Sequence, residues 1–346
     1  MNRALLTALA EASGPSGREE RVAAIVRPEL EALCDRVERD PLGGLAGVRE
    51  AETGGAPRLM LAAHMDEIGL MVTGVDDGGF VRFIPLGGWD PRTLVGQRVR
   101  VHGREDLEGV VGTTPVHLMD DEARKKPPRL EEMAVDLGLP GDRARELVRP
   151  GDVMTRIRAL RPLGDLVTGK SLDDRVGVYV MLEGLRAAGR SEAEVWAVAT
   201  VQEEVGLRGA RVAAERIRPH VAVAVDTCPA NDGPGAPSSS ASTRLGRGAA
   251  IRVMDASAIG APALVELLTR IAEDRGIPHQ FHLADRGGTD TGAIQLAGDG
   301  AVAGCVSIPT RYVHTSVEAC HPDDLDACVA LVAGLIERVG ELPLRP

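Results

Sequence analysis

Aromatic side chains are scarce: Phe, Tyr and Trp together make up 2% of the 346 residues. A core has to be built from Val, Leu, Ile and Ala, which the 44% hydrophobic content supplies. The five cysteines, Cys34, Cys228, Cys305, Cys320 and Cys328, form no Cys-x-x-Cys pair. Their number is odd and several lie in apolar runs, the pattern of buried free thiols, which fits a reducing cytoplasm. No basic stripe stands out and the formal charge is −11, which argues against nucleic acid as a partner. No stretch is long and apolar enough to span a membrane. The N-terminus lacks a basic segment followed by a long apolar run, so no signal peptide is expected. There is no internal repeat, and the length allows one large domain or two.

What the chain does have is a series of apolar strands that end in metal-binding residue types. Val195–Thr200 reads as a buried strand and runs into Gln202-Glu203-Glu204-Val205-Gly206. Successive strand residues face opposite ways, so Glu203 and Glu204 share one site only if the backbone bends there. The pair is either a solvated acidic turn, or one Glu bound to a metal beside another acting as a general base. Arg58–Ala63 is a second such strand, ending in His64-Met65-Asp66. A His-x-Asp at a strand end lets Asp66 accept a hydrogen bond from one imidazole nitrogen while the other faces a metal. It is equally a structural pair. Val221–Val225 is a third, ending in Asp226.

Around these strands the chain punctuates itself. Leu5, Leu6 and Leu9 suggest a first helix, and Ser16-x-x-Glu19 has the form of a capping box before a helix running to about Leu33. From Glu67 to about Leu166 the texture changes to short β-rich runs separated by glycine turns, which predicts an inserted small all-β domain. Within it, Asp120 to Arg129 is expected as a charged loop and Leu130–Leu137 as a short helix. His102, His117, Asp120 and Asp121 lack ligand spacing and read as structural or surface residues. Gly169-Lys170-Ser171-Leu172-Asp173-Asp174-Arg175 resumes the larger α/β domain and opens a helix. Its two acids serve either as a helix N-terminus or, one of them, as a carboxylate shared by two metals. Asn231 to Ser240 is a loop, Pro262–Arg275 and the segment from Pro322 onward are helices, and Val302–Ile308 is a strand followed by Arg311-Tyr312-Val313-His314.

In open α/β sheets, ligands bind beyond the carboxyl ends of the strands. His64, Glu203-Glu204 and Asp226 lie at three such ends, with Asp173 and His314 beside others. That is the set a two-metal hydrolase needs: one imidazole and one terminal carboxylate per ion, and a third carboxylate between them. One acid must stay off the metals to move protons.

At this point the sequence resembles the M42 metallo-aminopeptidases (glutamyl/leucyl aminopeptidase-like, also known as tetrahedral or TET aminopeptidases). The resemblance rests on Ser13-Gly14-Pro15-Ser16-Gly17, Ala63-His64-Met65-Asp66-Glu67-Ile68-Gly69, Gly87-Gly88-Trp89, Gly169 to Arg175, Gln202 to Gly206, Val225-Asp226-Thr227, Gly287-Gly288-Thr289-Asp290 and Arg311 to His314. Ser171 departs from the alanine that the family more often carries. The resemblance implies an α/β fold with a mixed central sheet flanked by helices, of the dinuclear zinc exopeptidase type. The catalytic domain would comprise residues 1–66 and 167–346, and residues 67–166 an inserted dimerisation domain. It implies one metal on His64, Asp173 and Asp226, another on Asp173, Glu204 and His314, Glu203 as base and Asp66 orienting His64. Two divalent ions per subunit, zinc or cobalt, would act on short peptides, in dimers assembling to a hollow dodecamer. Alternatives are a dimetal deacylase or carboxypeptidase on the same scaffold, or a non-catalytic peptide-binding assembly, which the presence of both Glu203 and Glu204 opposes. A glycosidase would need two carboxylates and no metal, and the His/Asp set argues against it.

Overall fold

The computed structural model describes residues 1–51, 55–236 and 243–343. Two helices open the chain, α1 (Arg3–Glu11) and α2 (Glu20–Leu33), followed by β1 (Arg36–Arg39), β2 (Leu45–Arg49) and the apolar strand β3 (Arg58–His64). Next come β4 (Gly69–Val75), β5 (Val81–Leu86), β6 (Arg98–His102), β7 (Asp106–Gly112), α3 (Asp121–Arg124), β8 (Ala134–Asp136), α4 (Gly141–Leu147) and β9 (Val153–Arg156). The middle of the chain forms β10 (Arg161–Leu163), β11 (Leu166–Gly169), α5 (Leu172–Ala187), β12 (Glu194–Thr200), α6 (Arg208–Ile217) and β13 (Val221–Pro229). The last part forms β14 (Ala249–Met254), α7 (Pro262–Arg275), β15 (His279–Leu283), α8 (Thr291–Ile294), β16 (Val302–Arg311), β17 (Glu318–Cys320) and α9 (Pro322–Arg338).

Eleven strands make one mixed sheet, in the order β1-β2-β12-β3-β13-β16-β17-β11-β10, with β14 and β15 branching from β16. Its centre, β12-β3-β13-β16, is parallel. The apolar runs alternate faces as strands must. Leu59, Leu61 and Ala63 of β3 and Val221, Val223 and Val225 of β13 pack with helices α1, α2, α5, α7 and α9. Met60, Ala62 and Ala222 face α6 and α8, where Ala210, Ala213, Ala214 and Ala293 let the helices approach closely. Aliphatic residues thus fill both layers, as the scarcity of aromatics requires; each fully buried Val or Leu contributes about 1.5–3 kcal/mol.

The segment between β3 and β10 closes into a separate six-stranded barrel, β4-β5-β8-β7-β6-β9, with its own core of Leu70, Val72, Val81, Val99, Val101, Val111, Val135 and Met154. Here local pattern misled. Leu130–Leu137 forms a single turn over Leu130–Glu132 and then β8. Pairing of Val135 with Val81 and Val111 closes the barrel, and that tertiary gain overrides helical spacing. The expected loop at Asp120–Arg129 contains the short helix α3, laced by Arg124–Asp121 and Lys125–Glu122 ion pairs. The capping box also fails. Ser16 donates to the buried carboxylate of Asp66 at 2.6 Å instead, a charged acceptor stronger than a backbone partner. Glu19 turns to the N–H groups of Gly17 and Gln202. The Asn231–Ser240 loop is seen as far as Ala236; its remainder lies outside the described residues.

Candidate metal centre

The parallel strands deliver the site. His64 closes β3, level with Thr200 at the end of β12; Glu203 and Glu204 follow β12, Asp226 lies in β13, His314 follows β16 and Asp173 opens α5. Glu203 and Glu204 reach one site because the backbone does bend, with φ 56° at Gln202 and 124° at Gly206. Ser171 (φ 58°) and His314 (φ 63°) are also left-handed, an unusual conformation for such residues that clusters at functional sites. His64, Asp173, Glu203, Glu204, Asp226 and His314 all line one cavity of about 780 Å³.

Asp173 stands between the imidazoles. Its Oδ1 lies 3.3 Å from His64 Nε2 and its Oδ2 lies 3.4 Å from His314 Nε2. Glu204 Oε1 is 3.2 Å from His314 Nε2, whereas Glu203 Oε2 is 3.9 Å from His64 Nε2. Donor atoms of His64, Asp173 and Glu204 fall within 4.8 Å of one another, as do those of His64, Asp174 and Asp226. Asp174 thus joins the cluster too. Its Oδ2 accepts the His64 N–H and its Oδ1 the Gly177 N–H, both at 3.1 Å, so it anchors the main chain of His64. Asp173 is the acid whose oxygens face both rings.

Asp66 stands beside the His64 ring, as expected of a residue that orients it, and its main-chain oxygen makes the shorter contact. His64 Nδ1 lies 3.1 Å from the Asp66 main-chain oxygen, and the carboxylate is farther, at 3.5 Å. That carboxylate accepts the N–H groups of Glu203 (2.9 Å) and Glu204 (3.2 Å), pinning the turn that presents them. Sequence reasoning missed Glu318, whose two oxygens accept the N–H groups of Asp173 (3.0 Å) and His314 (2.8 Å). An acid inside the short apolar run Val317–Cys320 was the available signal. It also missed Asp290, which accepts a hydrogen bond from Thr200 at 2.5 Å and leaves its buried Oδ1 unpartnered.

Electrostatics single out the same residues. Burial, then repulsion from Asp226, pushes Asp174 well above the usual carboxylate range. Burial raises Glu203 strongly and Glu204 as well. Burial and the neighbouring Asp173 bring Asp226 to about 7. Burial opposes charge on His314, yet Asp173 and Glu204 hold it up at about 11; His64 is also raised, by Glu203 and Asp173 against the same penalty. Five carboxylates, those of Asp173, Asp174 and Asp226 on buried residues and those of Glu203 and Glu204 on half-buried ones, therefore confront two imidazoles, and the buried Glu204 Oε1 atom makes no hydrogen bond although His314 Nε2 stands 3.2 Å away. This all-N/O donor set fits divalent cations such as Zn²⁺, Co²⁺ or Mn²⁺. A bound cation favours ionised acids and neutral imidazoles, reversing both directions of shift.

Comparison with known proteins agrees with this geometry. The sequence profile described as M42 glutamyl aminopeptidase matches residues 43–331. A putative aminopeptidase of Acetivibrio thermocellus is 37% identical, over 93% of this chain and 94% of that protein. An aminopeptidase structure from the archaeon Desulfurococcus kamchatkensis superposes with a TM-score of 0.92 at 39% identity, covering 97% of this chain and 94% of that one. The TET1 peptidase of Pyrococcus horikoshii, described as assembling into a tetrahedron or a large octahedral shell, gives 0.86 at 34% identity, with coverage of 97% and 99%.

Proposed function

The chain belongs to the M42 glutamyl aminopeptidase family, and from that membership we propose a dinuclear metal-dependent aminopeptidase that removes N-terminal residues from short peptides. The observation that carries the dinuclear reading is Asp173, with one oxygen turned to each imidazole. His64, Asp173 and Asp226 would hold one divalent ion, and Asp173, Glu204 and His314 the other, zinc or cobalt. Such ions, when bound, supply Lewis acidity that makes a water acidic near neutral pH.

Glu203 carries the proton. It lines the cavity, stands farther from the imidazoles than Glu204 does from His314, and its N–H is fixed by Asp66. It takes the proton of the attacking water and returns it to the leaving amine. Asp66 is a positioning residue for both glutamates and, through its main-chain oxygen, for the His64 ring. The inserted barrel would serve dimerisation, with dimers building a dodecamer, as the assembling TET1 relative suggests. The five free cysteines support a place in the cytoplasm. A free substrate amino group would be required. Metal-reloaded protein should therefore cleave aminoacyl substrates and leave their N-acetylated forms intact; efficient cleavage of the blocked forms favours a deacylase or endopeptidase instead.

A further inference from the structure

Asp173 and His314 come from distant parts of the chain, yet their main-chain N–H groups converge on one carboxylate. Asp173 N donates to Glu318 Oε2 at 3.0 Å, and His314 N donates to Glu318 Oε1 at 2.8 Å. On the cavity side the same two residues meet again, His314 Nε2 lying 3.4 Å from Asp173 Oδ2. Glu318 is 1% exposed. It sits on β17, which pairs with β11, the strand leading to Asp173, and with β16, the strand leading to His314. Each oxygen of one side chain therefore ties down one of the two approaches.

The barrel comes close to the same residues. Arg156, at the end of β9, is 3% exposed. Its guanidinium carbon stands 4.9 Å from the centroid of the Trp89 ring, and its Nε and Nη1 are buried without hydrogen-bond partners. The neighbouring barrel residue Gly88 approaches so closely that a Cβ there would be 3.3 Å from His314 Nδ1. The barrel thus reaches the candidate metal centre at Gly88.

We propose that Glu318 is a positioning residue that sets the separation of Asp173 and His314. The inference rests on Asp173 and His314 being metal ligands. Two N–H groups accepted by the two oxygens of one side chain hold both backbones at once, and outer groups that orient ligands typically govern metal affinity by about 10–100-fold. Glutamine at this position keeps the size and one acceptor oxygen. Its NH₂ must oppose the other N–H, leaving a buried donor unpaired.

The test is titration of metal-stripped full-length protein with Co²⁺, read by visible absorption and calorimetry, independent of turnover. Wild type comes first: if it takes up no Co²⁺, the metal reading itself fails. Given uptake, Glu318→Gln should bind Co²⁺ about 10–100-fold more weakly with an altered band shape, and Glu318→Asp, which keeps both acceptor oxygens, should recover part of the loss. Wild-type affinity and spectrum in Glu318→Gln would overturn the proposal. If that variant does not fold, Glu318→Asp decides, since it is one methylene shorter and cannot span both N–H groups as glutamate does. Weaker Co²⁺ binding with an altered spectrum supports the proposal, and wild-type affinity and spectrum overturn it.

Discussion

Replacing Asp173 by asparagine removes one negative charge from beside His64 and His314 at once, because its two oxygens face different rings. Asp173→Asn is therefore expected to weaken both metal sites together. Elemental analysis showing one ion held with unchanged affinity and the other lost would contradict a shared carboxylate. Glu203→Gln should behave oppositely. On the proposed roles it loses the proton carrier and no ligand, so turnover should fall by about 10²–10⁴-fold while two ions remain. Loss of metal from this variant would mean that Glu203 and Glu204 exchange roles. Their side chains differ little in sequence context; what separates them is distance, 3.2 Å from an imidazole for Glu204 and 3.9 Å for Glu203.

Where the N-terminal segment, the end of β3 and the start of α5 meet, a buried ionic junction holds the elements. Glu67 accepts Lys170 Nζ and the Ser171 hydroxyl at 2.6 Å each and lies 3.4 Å from Arg175 Nη2. Arg175 in turn donates to the carbonyls of Leu9, Ala12 and Met65. Lys170, Arg175 and Glu67 are all buried. Glu67→Ala leaves two cations unbalanced in the interior, so it should cost about 3–5 kcal/mol, seen as a marked drop in melting temperature; a shift under about 1 °C would show that the junction contributes little. Packing is equally tight at Gly177, where a Cβ would stand 2.2 Å from Asp174 Oδ1 and 2.4 Å from Val225 O. The strands that carry the candidate ligands are legible because continuous apolar runs ending in His or acid are a local signal. The ends of β3, β12 and β13 can be read that way. The roles of Asp66, Asp174 and Glu318 were not legible, because each acts through main-chain N–H groups of a segment it does not neighbour in sequence. β8 was misread because its partners, Val81 and Val111, lie far away in the chain.

At the scale of the whole molecule, the barrel interrupts the chain between His64 and Asp173, which must still meet. Exposed apolar residues on it, Phe80, Ile84, Val116 and Leu118, suit burial against a second copy. Light scattering of the full-length protein should report a large assembly, and an active monomer at micromolar concentration would remove the dimerisation role while leaving the chemistry intact. The central claim is the pair of ions on one shared carboxylate, and activity recovered as metal is returned tests it most directly. Stripped protein titrated with Co²⁺ and assayed on an aminoacyl substrate should regain full activity only as a second equivalent per subunit binds. Full activity in the stripped protein, or with a single equivalent bound, would contradict the account.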